Sequence, residues 1–127
     1  MQKSIIQGRL EIIIENICLN ANVLLISWAL FDADGLPLYS NFKTDEEEFG
    51  AMAAIILGVF KRIPILAGCC YYFPKRDIFL YRIKIDTKYF ILTIAIEKNI
   101  KNRTLVEMNI RKYEKRIIEI LSEKLDM

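Results

Sequence analysis

The chain has 127 residues, enough to bury one core without dividing, so a single domain over residues 1–127 is expected. Its hydrophobic content of 54% and mean hydropathy of +0.24 are high for a domain that must also cover its own surface: either little apolar surface faces water, or a partner covers some of it. A net charge of +2, from 18 basic and 16 acidic residues spread along the chain, gives no electrostatic footprint for nucleic acid, and no apolar run approaches the ~20 residues of a membrane-spanning helix.

The segment Met1 to Arg9 lacks the apolar stretch and small-residue cleavage site of a secretory signal, so a cytoplasmic protein is expected. Ser4-Ile5-Ile6-Gln7 reads as a capping box opening a helix over residues 4–20, with Ile6, Leu10, Ile13, Ile14 and Ile17 on the core side. Residues 24–31 are apolar on both alternating faces, as in an interior strand. Ala33-Asp34-Gly35 supplies a tight hairpin, and the return strand over 36–42 carries Pro37, which lacks an amide to donate and belongs at an edge. Thr44-Asp45-Glu46-Glu47 is a second capping box, opening a helix that runs to residue 62. Strands over 66–73, 78–85 and 89–97, joined by short turns, read as an antiparallel meander. Thr104-Leu105-Val106-Glu107 opens the last helix, for which a stripe of Met108, Tyr113, Ile117, Ile120 and Leu121 is expected to face inward. The order is α-β-β-α-β-β-β-α.

The middle helix has no charged residue from Phe49 to Phe60, although a helix lying on one sheet needs only one apolar stripe. Phe49, Met52, Ile56, Phe60 and Ile63 form a bulky stripe suited to a sheet; Ala51, Ala54 and Gly58, with Ile55 among them, form a second surface that needs its own cover. A glycine inside a helix costs about 1 kcal/mol relative to alanine unless close backbone approach offsets it. The strand that follows, through Cys69, Cys70, Tyr71, Tyr72 and Phe73, is apolar on both faces and carries no charge to protect an edge. Pairing with a second copy, helix beside helix and strand beside strand, covers both surfaces. The expected interface is Ala51, Ala54, Ile55, Gly58, Tyr71 and Tyr72.

The element order, the strand-turn-strand from Trp28 through Asp32-Ala33-Asp34-Gly35 to Ser40, and the alanine-rich helix with Ala51, Ala53 and Ala54 together resemble the roadblock family, the dynein light chain relatives. The resemblance covers nearly the whole chain. It implies an α+β fold: a five-stranded antiparallel sheet, the middle helix on one face and the two terminal helices on the other. It also implies dimers joined through the middle helices and third strands, with itself or a related roadblock subunit. Members of the family serve as platforms for Ras-like small GTPases, some stimulating hydrolysis, while others are light chains on motor complexes. The expected function is therefore a non-enzymatic dimeric platform for a Ras-like small GTPase, the alternative being a structural light chain that binds a peptide or larger protein without a GTPase. The chain departs from the family in the basic loop Lys98 to Arg103, where a small or glycine-containing turn is usual.

The residues point the same way about chemistry. With no histidine, histidine-based triads are excluded, and there is no Gly-rich phosphate loop ending in Lys-Ser/Thr. Asp32 and Asp34 fit hairpin chemistry better than paired carboxylate catalysis. Cys18, Cys69 and Cys70 make no C-x-x-C pair and read as core thiols, so no metal or cofactor is expected. Trp28 reads as core, and the loop with Lys98, Lys101 and Arg103 as solvated. Lys61 and Arg62 either complement the helix dipole or touch a partner.

Overall fold

The structure, a computed structural model, describes residues 2–41, 46–63 and 67–125, leaving aside the side chains of 2–4, 46–49, 51, 124 and 125. Its elements are α1 (Gln2–Asn20), β1 (Leu25–Phe31), β2 (Pro37–Ser40), α2 (Glu46–Arg62), β3 (Gly68–Tyr72), β4 (Arg76–Ile85), β5 (Lys88–Glu97) and α3 (Arg103–Leu125). The five strands form one antiparallel sheet in the order β2-β1-β5-β4-β3. The expected fold is the observed one, including the meander β3-β4-β5 and the edge position of the strand with Pro37.

Strict alternation along the strands divides the interior in two. Trp28, Leu30, Phe79, Tyr81, Ile83, Phe90, Leu92, Ile94 and Ile96 face α1 and α3, while Ala29, Phe31, Ile78, Leu80, Ile91 and Ala95 face α2. Trp28 is core, as expected: fully buried, with its backbone N–H donating to Asn41 Oδ1 at 2.7 Å. Thr93, buried in the middle of β5, satisfies its hydroxyl by donating to the Ala29 carbonyl at 3.0 Å.

The helix ends differ from expectation in instructive ways. The helix α1 begins by Gln2, so Ser4 lies inside it and is no cap; Gln7 instead accepts the Ser40 N–H at 3.4 Å, joining the helix to β2. At its other end Asn22 adopts a left-handed φ of 55°, and Val23 N–H returns to the Cys18 carbonyl at 3.1 Å, so an asparagine serves where glycine is usual. Thr44 and Asp45 of the second expected capping box lie outside the described residues. The helix α3 starts ahead of its expected cap: Asn102 offers its carbonyl to Val106 N–H at 3.2 Å, while its own N–H goes to Asn99 Oδ1 at 3.0 Å. The buried stripe of α3 is Val106, Ile110, Ile117, Ile120 and Leu121, with Tyr113 half-buried; Met108, expected inside, is 58% exposed. Counting back in steps of four and three from Ile117 gives Tyr113, Ile110 and Val106, a series that excludes Met108.

The hairpin after β1 carries the turn chemistry expected of Asp32. Its Oδ1 accepts the N–H groups of Asp34 at 2.9 Å and Leu36 at 3.0 Å, and Gly35 takes a φ of 82°. The hairpin tip also meets α2 backbone to backbone, since a Cβ on Gly35 would stand 2.9 Å from the Gly50 carbonyl oxygen, and a Cβ on Gly50 at 2.9 Å from that of Gly35. Gly35→Ala is therefore expected to cost at least about 1–2 kcal/mol from the left-handed backbone alone, with the clash added. Gly8→Ala, where nothing lies within 4 Å of the new methyl, is expected to stabilise by up to about 1 kcal/mol. Urea midpoints of the two variants check this: a Gly35→Ala midpoint equal to the parent's counts against the contact.

Candidate interaction surface

Helix α2 is held to the sheet by Ala53, Ile56, Leu57 and Phe60, each at most 5% exposed. A buried isoleucine, leucine or phenylalanine contributes about 1.5–3 kcal/mol, so this helix is firmly docked and its outer side is not exposed through loose packing. On that outer side Ala54, Ile55, Gly58, Lys61 and Arg62 are exposed, Ile55 to 64%. Ala51 belongs to the same helix, but its side chain is outside the description. A Cβ on Gly58 would meet nothing within 4 Å, so among the described residues no neighbour requires glycine there.

The two flanks of α2 face different things. At ~100° per residue Ala54, Leu57 and Lys61 fall on one flank and Met52, Ile55 and Val59 on the other, with Gly58 and Arg62 pointing outward between them. The first flank lies against the hairpin, since the Ala54 methyl is 3.2 Å from where a Gly35 Cβ would stand. The hairpin strands occupy the sheet edge opposite β3, so the second flank looks toward β3. Tyr71 and Phe73 pack there on the same apolar cluster as Met52. Among the described residues β3 is paired only with β4, through Gly68–Tyr81 to Tyr72–Asp77, and its outer edge carries no strand.

The structure thus gathers Ile55, Gly58 and Tyr71 on the α2 side of the sheet, with Ala54 shared between the surface and the hairpin. Tyr72 points to the other face, 59% exposed, and belongs to a different cluster. Its ring lies 3.9 Å from the Arg103 guanidinium carbon and 5.9 Å from Lys98 Nζ. Beneath it the Asp77 carboxylate is fully buried, bound by Arg103 Nε at 2.8 Å and Nη2 at 3.1 Å, with Lys98 Nζ at 3.6 Å. Burial pushes the Asp77 carboxyl up, but the hydrogen bond and charge of Arg103, the charge of Lys98 and the backbone N–H of Asn99 outweigh it and hold the group below the usual carboxylate range. This corrects the reading of the basic loop as merely solvated: Arg103 is committed to a buried acid, and Lys98, though exposed, donates to the Phe73 carbonyl at 2.8 Å and stands near that acid, while Lys101 is exposed. The available signal was Asp77 itself, a lone acid whose alternation with Phe79 and Tyr81 puts it on a covered face.

The cysteines sit as the strand alternation requires, Cys70 toward α1 and α3 and Cys69 toward α2. Burial pushes the Cys18 thiol up to about 12; burial, followed by the Asp77 charge, does the same for Cys70. Thiols so placed are protonated at neutral pH and poor nucleophiles.

No family model and no curated protein matches this chain. Its fold is nevertheless the one that the resemblance to the roadblock family implies, and solved structures share it. The chain is similar to Myxococcus xanthus MglB, with a TM-score of 0.62 at 15% identity over 92% of this chain and 90% of that one. A structure of MglB with tetrameric arrangement gives a TM-score of 0.67 at 11% identity, covering 93% and 91% of the two chains. The gliding protein MglB from Thermus thermophilus gives 0.65 at 11% identity, covering 93% and 92%. No described helix is long and apolar enough to cross a membrane.

Proposed function

We propose that this chain is a one-domain cytoplasmic platform that pairs with a second copy of itself, or with a related subunit, through α2 and β3, and binds a Ras-like small GTPase, regulating its nucleotide cycle without doing chemistry of its own. The observation that carries the reading is the outer side of α2: a firmly docked helix exposes Ile55 and keeps Gly58 where no described residue needs it, beside a strand edge that no described strand covers. Charge supports an antiparallel pairing of two such helices, because α2 opens with Glu46, Glu47 and Glu48 and closes with Lys61 and Arg62. Two copies running in opposite directions bring the glutamate turn of one to the Arg62 end of the other. The GTPase half of the proposal rests on the fold shared with the MglB structures and on the roadblock resemblance.

The immobilised chain, incubated with small GTPases of its own organism loaded with GDP or a non-hydrolysable GTP analogue, is expected to retain one of them in a nucleotide-dependent way. Retention of none, or equal retention in both states, counts against a regulator of the nucleotide cycle; capture of a peptide or large subunit instead supports the structural light chain.

A further inference from the structure

On the hairpin flank of α2, away from β3, the fold leaves a pocket of about 260 Å³ lined by Ala33, Leu57, Phe60, Lys61, Arg82 and Tyr89. Its floor is apolar and its two charged groups are both cations; none of its described lining residues is acidic. Arg82 is held in place on three sides. Its guanidinium carbon lies 5.2 Å from the Phe60 ring centroid and 5.1 Å from that of Tyr89, and Nη1 donates to the Phe60 carbonyl at 3.5 Å. Lys84 Nζ, 5.6 Å from the Tyr89 ring, adds a third positive charge on the same face of the sheet.

Lys61 and Arg82 complement the carbonyl end of α2, which accounts for cations at that place but not for an open apolar hollow beside them. The volume is below the roughly 300–1,000 Å³ of small-molecule sites, and fits one or two side chains of a docked protein. A fixed guanidinium with a mobile ammonium next to it recognises a carboxylate, and flat aromatic and leucine surface takes the methylene stem that carries one. We propose that this pocket receives a glutamate side chain flanked by aliphatic residues, presented by a partner protein other than a second copy of this chain. That the occupant is not a second copy rests on the proposed pairing through β3 and the outer side of α2, which leaves this flank open; the pocket and its cations do not depend on it.

The full chain is titrated with acetyl-Leu-Glu-Leu-amide, with the Leu-Gln-Leu counterpart, and with glutarate, following backbone amide shifts of Ala33, Leu57, Lys61 and Tyr89. Saturable shifts are expected with the glutamate peptide, and binding weaker by about tenfold or more with each of the other two. Two variants are expected to abolish the response: Lys61→Glu, which reverses an exposed charge, and Ala33→Phe, which fills the mouth from the hairpin without altering charge. Gly58→Leu is expected to leave it intact. Equal binding of the glutamate and glutamine peptides overturns the proposal, as does a response that survives both variants. Glutarate binding as tightly as the peptide overturns it in favour of a free dicarboxylate.

Discussion

Arg103→Ala is expected to lower the unfolding free energy by about 3–5 kcal/mol, the cost of leaving a buried carboxylate without its main partner. Asp77 has no exposed surface and takes two side-chain hydrogen bonds from Arg103 besides the Asn99 backbone N–H; Lys98, at 3.6 Å and partly in water, is a poor substitute. Urea denaturation at neutral pH measures the loss, and a change under about 1 kcal/mol would place the pair among ordinary surface salt bridges. Titration gives the same interaction a second signature. The folded carboxyl titrates below its unfolded value, so its contribution is complete above the ordinary carboxylate value of about 4 and disappears as pH falls through the folded one. Asp77→Asn is therefore expected to flatten the acid limb of the stability profile as well as to lower its plateau. A variant with the parent's acid limb would show that other carboxylates govern it.

The second large effect concerns Gly58. In an isolated protomer Gly58→Ala is harmless, since the added methyl meets nothing within 4 Å, and it stabilises the helix by about 1 kcal/mol; Gly58→Leu starts from the same open Cβ position on the exposed side of α2. Where a second helix packs antiparallel along this stripe, Gly58 lies against the partner's backbone and the same additions separate the two helices. If the proposed pairing holds, Gly58→Leu is expected to be monomeric at micromolar concentration where the parent is dimeric, with a helical far-ultraviolet signature equal to the parent's, and a charge at Ala54 is expected to do likewise. Light scattering decides it: a Gly58→Leu protein that stays dimeric removes the outer side of α2 as the interface. Because the Ala54 methyl also touches the hairpin, its variant alone is the weaker test, and melting curves of both separate lost pairing from lost folding.

Much of the fold was legible because apolar periodicity survives in every long element. Alternation in β1, β4 and β5, Pro37 at an edge and the glycine turn after Asp32 were enough to read the hairpin and the meander; that the two join through β1 and β5 into one sheet came from the family resemblance. Caps were harder to read, because a Ser-x-x-Gln or Thr-x-x-Glu string says that two side chains are able to close a helix end, not that the end is there. Gln7 found a strand amide instead, and Asn99 with Asn102 did the capping ahead of Thr104. The outer side of α2 was visible as a helix with no charged residue. Its division into a hairpin flank and a β3 flank was not, since it depends on which strands lie beneath. Asp77 and Arg103 are 26 positions apart and meet only through the sheet register and the start of α3, a long-range fact that local patterns do not carry.

The two edges of the sheet are not alike. On one side β2 has four residues and begins at Pro37, which offers no amide to an incoming strand; on the other, β3 has no second neighbour among the described residues. A ribbon with a single joinable margin can be extended only once. Copies meeting strand to strand across a two-fold use up both bare margins, and the pair shows only its blunt β2 sides to the next molecule. Growth by strand addition therefore stops at two, and any larger assembly has to be built by other surfaces.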